Sequence, residues 1–135
     1  MCGITGVISN RAETVAGFDN DIRVMTGVIK HRGPDGDGFF VNENVALGHR
    51  RLSIIDLSDN ARQPMFYLDR YVITFNGEIY NYTELKEELS DAGYTFNSTS
   101  DTEVILAAFD HWGCQCLNRF NGMWAMVLLD LDKNE

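Results

Sequence analysis

Cys2 is the residue whose position most directly indicates chemistry. It follows the initiator methionine, so removal of Met1 leaves a cysteine that carries both a thiol and a free α-amine. The amine titrates at about 7.7–8.0 and an unperturbed thiol at about 8.5. One residue can then supply a nucleophile and a general base that are both suited to neutral pH. A cysteine at position 2 can also be incidental, so this position alone identifies no reaction.

The dipeptide Asn76-Gly77 stands at the end of a predicted strand. An asparagine amide and the backbone N–H that follows it can both donate to a developing oxyanion. Glycine allows the unusual φ that such an arrangement often needs. The same dipeptide is more commonly a plain turn. Asn76 and Gly77 are therefore either an oxyanion hole or a turn.

Three charged residues could bind the two ends of a small substrate. Arg50 and Arg51 are adjacent in an apolar stretch, and successive strand residues face opposite sides. One arginine can therefore enter a site and clamp a carboxylate, while the other meets solvent. A solvated pair on an edge strand is the alternative. Asp101, at a predicted helix start, either caps that helix or binds an ammonium group.

A metal site is not expected. His111, Cys114 and Cys116 are close in sequence, but a tetrahedral structural site needs four ligands, usually as two separated pairs. The second pair is missing, so we predict packed thiols after a helix end. The histidines at positions 31, 49 and 111 are isolated from one another, and their spacing does not select any one of them as a partner for Cys2.

Length and charge limit the class of protein. The chain has 135 residues, which fits one domain. Its net charge of −9 argues against a nucleic-acid partner, because such proteins need a basic surface. We see neither a signal peptide nor a run long enough to span a membrane. The predicted location is the cytoplasm.

The apolar pattern predicts a mixture of strands and helices. Strands are expected at 3–9, 38–42, 45–55, 71–76 and 123–131. A helix is expected at 14–30, with Val15, Phe18, Ile22, Met25 and Ile29 on one face. Capping boxes that begin at Asn81 and Ser100 predict helices to about Asp91 and over 102–112, the second closed by Gly113.

This element order predicts an α+β fold with antiparallel layers, because strands and helices do not alternate strictly. The last strand, 123–131, is the most continuously apolar and is followed by a turn at 132–135. A strand buried on both faces needs partners on each side. We therefore expect residues 1–135 to form an incomplete domain that lacks at least one return hairpin.

An ordered set of motifs carries a family resemblance. The segments MCGITGV, HRGPDGDG, LGHRRLSIIDLS, NGEIYN, SDTEVIL and NGMWA occur in this order. Together they resemble the N-terminal domain of glutamine-dependent asparagine synthetases, from Cys2 to about Asp130. That domain is a class II glutamine amidotransferase, of the N-terminal nucleophile hydrolases. The resemblance implies a four-layer αββα sandwich of two antiparallel sheets.

The resemblance also implies roles for individual residues. Cys2 attacks the side-chain amide of glutamine, its own α-amine is the base, and Asn76 with the Gly77 N–H forms the oxyanion hole. Arg51 binds the α-carboxylate, with Arg50 as its outward neighbour. Asp101 and Glu78 bind the α-ammonium. The loop from His31 to Gly38 packs beside the nucleophile.

Partners follow from the same resemblance. Ammonia passes to a C-terminal synthetase domain, absent from this chain, which uses ATP and Mg²⁺; residues 1–135 need no cofactor. The resemblance also allows a homodimer. Alternatives are a relative with a different ammonia acceptor, such as a surface polysaccharide or a peptide, a cysteine acylase for other amides, and a non-catalytic fragment. Arg51 and Asp101, which match the charged ends of a free amino acid, argue against the acylase.

Overall fold

The computed structural model describes residues 2–9 and 17–133, which form two three-stranded antiparallel sheets and three α-helices. The first sheet has the order β1-β3-β2, where β1 is Gly3–Ile8, β2 is Gly36–Val41 and β3 is Val45–Arg51. The second has the order β4-β5-β6, where β4 is Met65–Tyr67, β5 is Tyr71–Ile79 and β6 is Gly122–Asp130. The helices are α1 (Phe18–Val28), α2 (Tyr82–Asp91) and α3 (Asp101–Trp112).

Three apolar interfaces stack these elements into four layers. Ile22 of α1 packs with Ala46 of β3. Leu47 of β3 meets Val72 of β5 between the two sheets. The largest cluster joins β5 to α2 and α3, and includes Ile73, Phe75, Leu85, Leu89, Ile105 and Leu106. The predicted α+β sandwich of order αββα is confirmed, since each sheet buries one face on helices and the other on its partner sheet.

Helix α1 uses a narrower apolar face than predicted. Ile22 and Thr26 are its buried residues, whereas Met25 is exposed. Thr26 is buried because its hydroxyl bonds to Ile22 O at 2.7 Å and to the hydroxyl of Thr5 at 2.8 Å. Gly48 of β3 allows this close approach. The expected start of the helix at 14, with Val15, lies outside the described residues.

The hairpin of β2 and β3 is where predicted, but β3 is shorter. The Asn42 side chain accepts hydrogen bonds from the backbone of Asn44 and Val45, which builds the turn. The expected strand over 45–55 is wrong beyond Arg51, where β3 ends. The Arg51 guanidinium bonds to the carbonyls of Asp56 and Ser58, so the chain folds back toward the strand end.

The second sheet departs from the sequence prediction in three places. Strand β4 was not predicted, because it has only three residues and its turn to β5 uses Leu68 and Asp69 at positive φ rather than a glycine. Strand β5 runs past Gly77 to Ile79. Strand β6 is only partly buried along most of its length and pairs with β5 alone among the described strands. Its expected burial on both faces is wrong.

Both later helices have the predicted bounds but simpler caps. The Ser100 hydroxyl caps α3 by accepting from Thr102 N, and Gly113 at φ 57° ends the helix. Glu103 bonds to residues 97 and 98 and does not complete a capping box. The Asn81 side chain bonds across to residues 119 and 121 and does not cap α2. Among the helices described, none combines the length and apolarity needed to cross a membrane.

Candidate active site

One cavity lies where the ends of β3, β5 and α3 meet. It brings together five of the six residues singled out from the sequence, Cys2, Arg51, Gly77, Glu78 and Asp101. Its remaining walls come from the segment after β3, from Gln63 and His49, and from the start of α3. Residues far apart in sequence thus converge on one small space.

Cys2 precedes β1 and is held from two sides. The backbone N–H of Leu52 donates to the Cys2 sulfur at 3.3 Å, and Arg32 Nε donates to the Cys2 carbonyl at 3.1 Å. Arg32 belongs to the loop 31–38, whose Asp35 carboxylate also accepts a hydrogen bond from Ser53 N at 2.8 Å. The loop therefore packs beside Cys2, as the resemblance implied. These contacts place the sulfur at the cavity wall.

The two adjacent arginines face opposite sides of β3. Arg51 lines the cavity. Arg50 is on the other face, where Nε donates to Gly33 O at 3.1 Å and the guanidinium pairs with Asp37 at 2.6 Å. Strand alternation thus predicted the direction of each side chain. The expectation that Arg50 meets solvent is wrong, because the loop 31–38 covers it and leaves it 6% exposed.

The edge of β5 that faces the cavity presents three backbone N–H groups. Phe75 N donates to the Gln63 side chain at 2.6 Å, and Ile79 N donates to Asp101 at 3.1 Å. Alternate N–H groups of a strand point the same way, so the N–H of Gly77 points to this edge too. Within residues 2–9 and 17–133 it has no hydrogen-bond acceptor. It is therefore a free donor at the cavity.

Gly77 is a glycine because of close packing. A Cβ at this position would lie 2.3 Å from Met123 O and 2.6 Å from Trp124 Cα on β6. Its φ is not among the positive ones, so the expected conformational reason for the glycine is wrong. Asn76 does not line the cavity. By alternation it shares the inter-sheet face with Thr74, and its Oδ1 is buried without a hydrogen-bond partner among the described residues.

Two carboxylates lie at the cavity on the side away from Arg51's strand. Asp101 is buried and Glu78 is exposed. Burial raises the pKa of Asp101, and the negative charge of Glu78 adds to that effect, although hydrogen bonds from Ile79 and Thr102 oppose it. A cation placed between Glu78 and Asp101 would relieve both the burial and the repulsion. Asp101 does not cap α3, because Ser100 does.

His49 and Gln63 line the same cavity and were not selected from the sequence. His49 is 1% exposed, and its Nε2 lies 3.2 Å from Phe75 O. Since a carbonyl only accepts, Nε2 carries the proton, and Nδ1 is a buried acceptor without a partner in the described part of the chain. Burial, with a contribution from Arg51, lowers the pKa of His49 to about 4.

Strand alternation could have found His49, which is two residues before Arg51 and hence on the same face. Gln63 carried no comparable signal. Its carbonyl serves Phe75 N while its amide donates to Thr102 Oγ1 at 3.2 Å. The Gln63 side chain therefore pairs with the edge of β5 just beyond the first residue of β4.

Comparison with known proteins first identifies the class of fold. The chain superposes on glutamine phosphoribosylpyrophosphate amidotransferase from Bacillus subtilis with a TM-score of 0.74, at 19% identity, over 97% of this chain and 35% of that one. That enzyme has the N-terminal nucleophile hydrolase sandwich, and this chain has the same fold.

The sequence then identifies the family. A family model described as a glutamine amidotransferase domain matches residues 1–135, and the chain belongs to that family. It is 50% identical over 131 residues to asparagine synthetase [glutamine-hydrolyzing] 1 of Bacillus subtilis, and 37% identical over 135 residues to asparagine synthetase B of Escherichia coli. These alignments cover 95% and 99% of this chain but 20% and 24% of the relatives.

Because Arg51 faces the cavity and Arg50 faces the loop 31–38, their alanine variants should have different effects. Arg51→Ala should raise KM for glutamine about 10- to 100-fold, the loss expected for a charged hydrogen-bonding group. Arg50→Ala should leave KM unchanged and lower stability by about 1–3 kcal/mol, because it removes buried bonds to Gly33 and Asp37. Glutaminase kinetics and thermal unfolding of the complete gene product measure both. Equal KM changes would show that the face assignment is wrong.

The lowered pKa of His49 predicts that the stability of the folded protein depends on pH. Its pKa is 6.5 when unperturbed and about 4 in the folded protein, so between these values the unfolded state binds a proton that the folded state excludes. The contribution of His49 to the free energy of unfolding therefore keeps its full value above pH 6.5. It falls by about 3 kcal/mol as the pH decreases toward 4, because the unfolded state then binds the proton. His49→Gln keeps a donor for Phe75 O and does not titrate.

Urea unfolding of both proteins at pH 7 and pH 4 measures this loss. The parent should lose more stability than His49→Gln does on acidification, because every other titrating group is common to the two proteins. Equal losses would contradict a buried neutral imidazole at position 49.

Proposed function

We propose that this chain hydrolyses glutamine to glutamate and ammonia through a thioester on Cys2. The observation that carries the proposal is the cavity that joins the Cys2 sulfur to Arg51 on one side and Asp101 on the other. A free amino acid has a carboxylate and an ammonium group on one carbon, and these two residues complement them. The side chain of such a substrate is then available to the nucleophile.

The reaction proceeds in two steps on this chain's own residues. The α-amine of mature Cys2 takes the thiol proton, and the sulfur attacks the amide carbon. The N–H of Gly77, which points to the cavity, stabilises the oxyanion that forms. The amine then donates its proton to the leaving nitrogen, the C–N bond breaks, and ammonia departs. Water, activated by the same amine, hydrolyses the thioester.

Substrate binding depends on the charged groups around this centre. Arg51 binds the α-carboxylate, while Asp101 and Glu78 hold the α-ammonium. The raised pKa of Asp101 supports this assignment, because a buried carboxylate is stabilised by a cationic ligand. The buried neutral His49 lies beside these groups without adding a positive charge.

Ammonia is passed to a C-terminal synthetase domain in the complete protein, which uses ATP and Mg²⁺ to make asparagine in the cytoplasm. The naming of the relatives as glutamine-hydrolysing asparagine synthetases supports this acceptor. The 20% of the Bacillus subtilis relative that the chain spans leaves room for such a domain. The acceptor follows from the relatives alone, since no residue of this cavity bears on it.

The proposal predicts a strict need for Cys2. Cys2→Ala should abolish glutaminase activity in the complete gene product, because Cys2 is the one of the three cysteines that lines the cavity. Cys114→Ala, which removes an exposed thiol outside the cavity, is the matched control and should be fully active. Release of glutamate from glutamine is the measurement. Activity in Cys2→Ala would overturn the proposal.

The proposed base also predicts processing of the N-terminus. The active protein should lack Met1, because only then is the α-amine of Cys2 free to accept the thiol proton. Intact-mass spectrometry of an active preparation, combined with titration of active sites, tests this. A fully active preparation that retains Met1 would exclude the α-amine as the base.

A further inference from the structure

The segment 52–58 forms one wall of the cavity and is anchored near both ends. Near its start, Ser53 N donates to the Asp35 carboxylate at 2.8 Å. At its end, the Arg51 guanidinium binds the carbonyls of Asp56 and Ser58, the latter at 2.9 Å. The segment and the arginine therefore hold each other in place.

Asp56 makes a second set of contacts, which reaches the segment before α3. Its Oδ1 accepts from Ser58 N at 2.8 Å. Its Oδ2 accepts from Thr99 N at 2.9 Å and from the Thr99 hydroxyl at 3.2 Å. Hydrogen bonds from Ser58 and Thr99 lower the pKa of Asp56 to about 2, so the carboxylate is charged at neutral pH.

These contacts connect two layers of the sandwich. Arg51 ends β3 in the first sheet, whereas Thr99 immediately precedes Ser100, the cap of α3, which packs on the second sheet. Asp101 is the first residue of that helix. Asp56 thus bonds to Arg51 through its carbonyl and, through its carboxylate, to a residue two positions before Asp101.

We propose that Asp56 is a positioning residue that sets the separation of Arg51 and Asp101, and so makes the cavity selective for a free α-amino acid. This inference rests on the proposed function, because it takes these two residues as the groups that bind the substrate's charged ends. Asp56 itself does not touch the reacting atoms.

The physical reason is the rigidity of the substrate. The carboxylate and the ammonium of an amino acid are attached to one carbon, so their separation is fixed. Binding groups on two different layers match that separation only if the layers are locked together to within about 0.5 Å. The two hydrogen bonds that the Asp56 carboxylate accepts from Thr99 supply such a lock beside the cavity.

Asp56→Asn tests the lock with little change in shape. Asparagine has one acceptor oxygen, so it can serve either Ser58 N or Thr99 N but not both. KM for glutamine should rise about tenfold, the effect of one charged hydrogen bond, while kcat stays within about twofold. Thr99→Val removes the hydroxyl contact and keeps the N–H contact, so its KM should rise less.

Asp59→Asn is the matched control. Asp59 lies three residues further along the chain, is exposed, and pairs with Arg62 at 3.0 Å rather than with Arg51 or Thr99. Its substitution changes the charge of the region by the same amount and should leave KM unchanged. An equal rise in KM in this variant would overturn the proposal, since net charge would then account for the effect.

A second measurement separates positioning from damage to the site. Iodoacetamide lacks both charged ends, so the rate at which it alkylates Cys2, followed on the Cys2 peptide by mass spectrometry, should be the same in Asp56→Asn and the parent. Inhibition by L-glutamate, which has both ends, should weaken about as much as KM rises. Loss of alkylation together with kcat would show a disrupted site and contradict the proposal.

The measurements distinguish an error in the proposed function from an error in the role given to Asp56. A parent protein without glutaminase activity would overturn the proposed function and this inference together. An active parent whose Asp56→Asn variant keeps a normal KM and normal inhibition by glutamate would overturn this inference alone. All assays use the complete gene product.

Discussion

The cavity lies where the edge of β5 has no neighbouring strand among those described, so the backbone N–H groups of that edge need other hydrogen-bond acceptors. An unpaired buried N–H costs free energy comparable to a lost hydrogen bond. Strand β4 ends early, and the side chains of Gln63 and Asp101 take over as acceptors for Phe75 and Ile79. Between them Gly77 keeps its donor free. The space beside β5 is thus open to a ligand because none of the described strands fills it. The side chains of Gln63 and Asp101 supply the acceptors that such a strand would have supplied.

The same edge explains why so many cavity residues are polar and buried. Gln63 bonds to α3 through Thr102 as well as to β5, and His49 reaches from the first sheet to Phe75 O. These contacts fasten three layers around one strand end. Polar side chains therefore join the layers around the cavity, where the apolar clusters give way to an open space.

The sequence predicted what depends on local periodicity. The bounds of α2 and α3, the Ser100 cap and the Gly113 stop follow from nearest-neighbour patterns. The direction of Arg51 follows from the period of a strand. The layers themselves came from the family resemblance, because no local pattern distinguishes a four-layer sandwich from simpler α+β arrangements.

Features that depend on distant partners were missed. Strand β3 ends at Arg51 although the apolar pattern continues, and the chain beyond it folds back so that the Arg51 guanidinium donates to the carbonyls of Asp56 and Ser58. Gln63 acquires its role from Phe75 and Thr102, 12 and 39 residues away. Gly77 is small because of β6, and Arg50 is buried because a loop folds over it. Each of these contacts is invisible until the chain is folded.

The buried carboxylate of Asp101 affects how the affinity of the cavity for a cationic ligand depends on pH. Its raised pKa means that the empty cavity has an increased affinity for a proton, and an ammonium group competes for the same negative charge. By linkage, a ligand that prefers the ionised form must displace any bound proton, so its affinity weakens as the solution becomes acidic. If the ammonium group of a substrate binds at Asp101 as proposed, the proton and the substrate are alternative cations for one carboxylate, and acidification opposes binding as a competing ligand would.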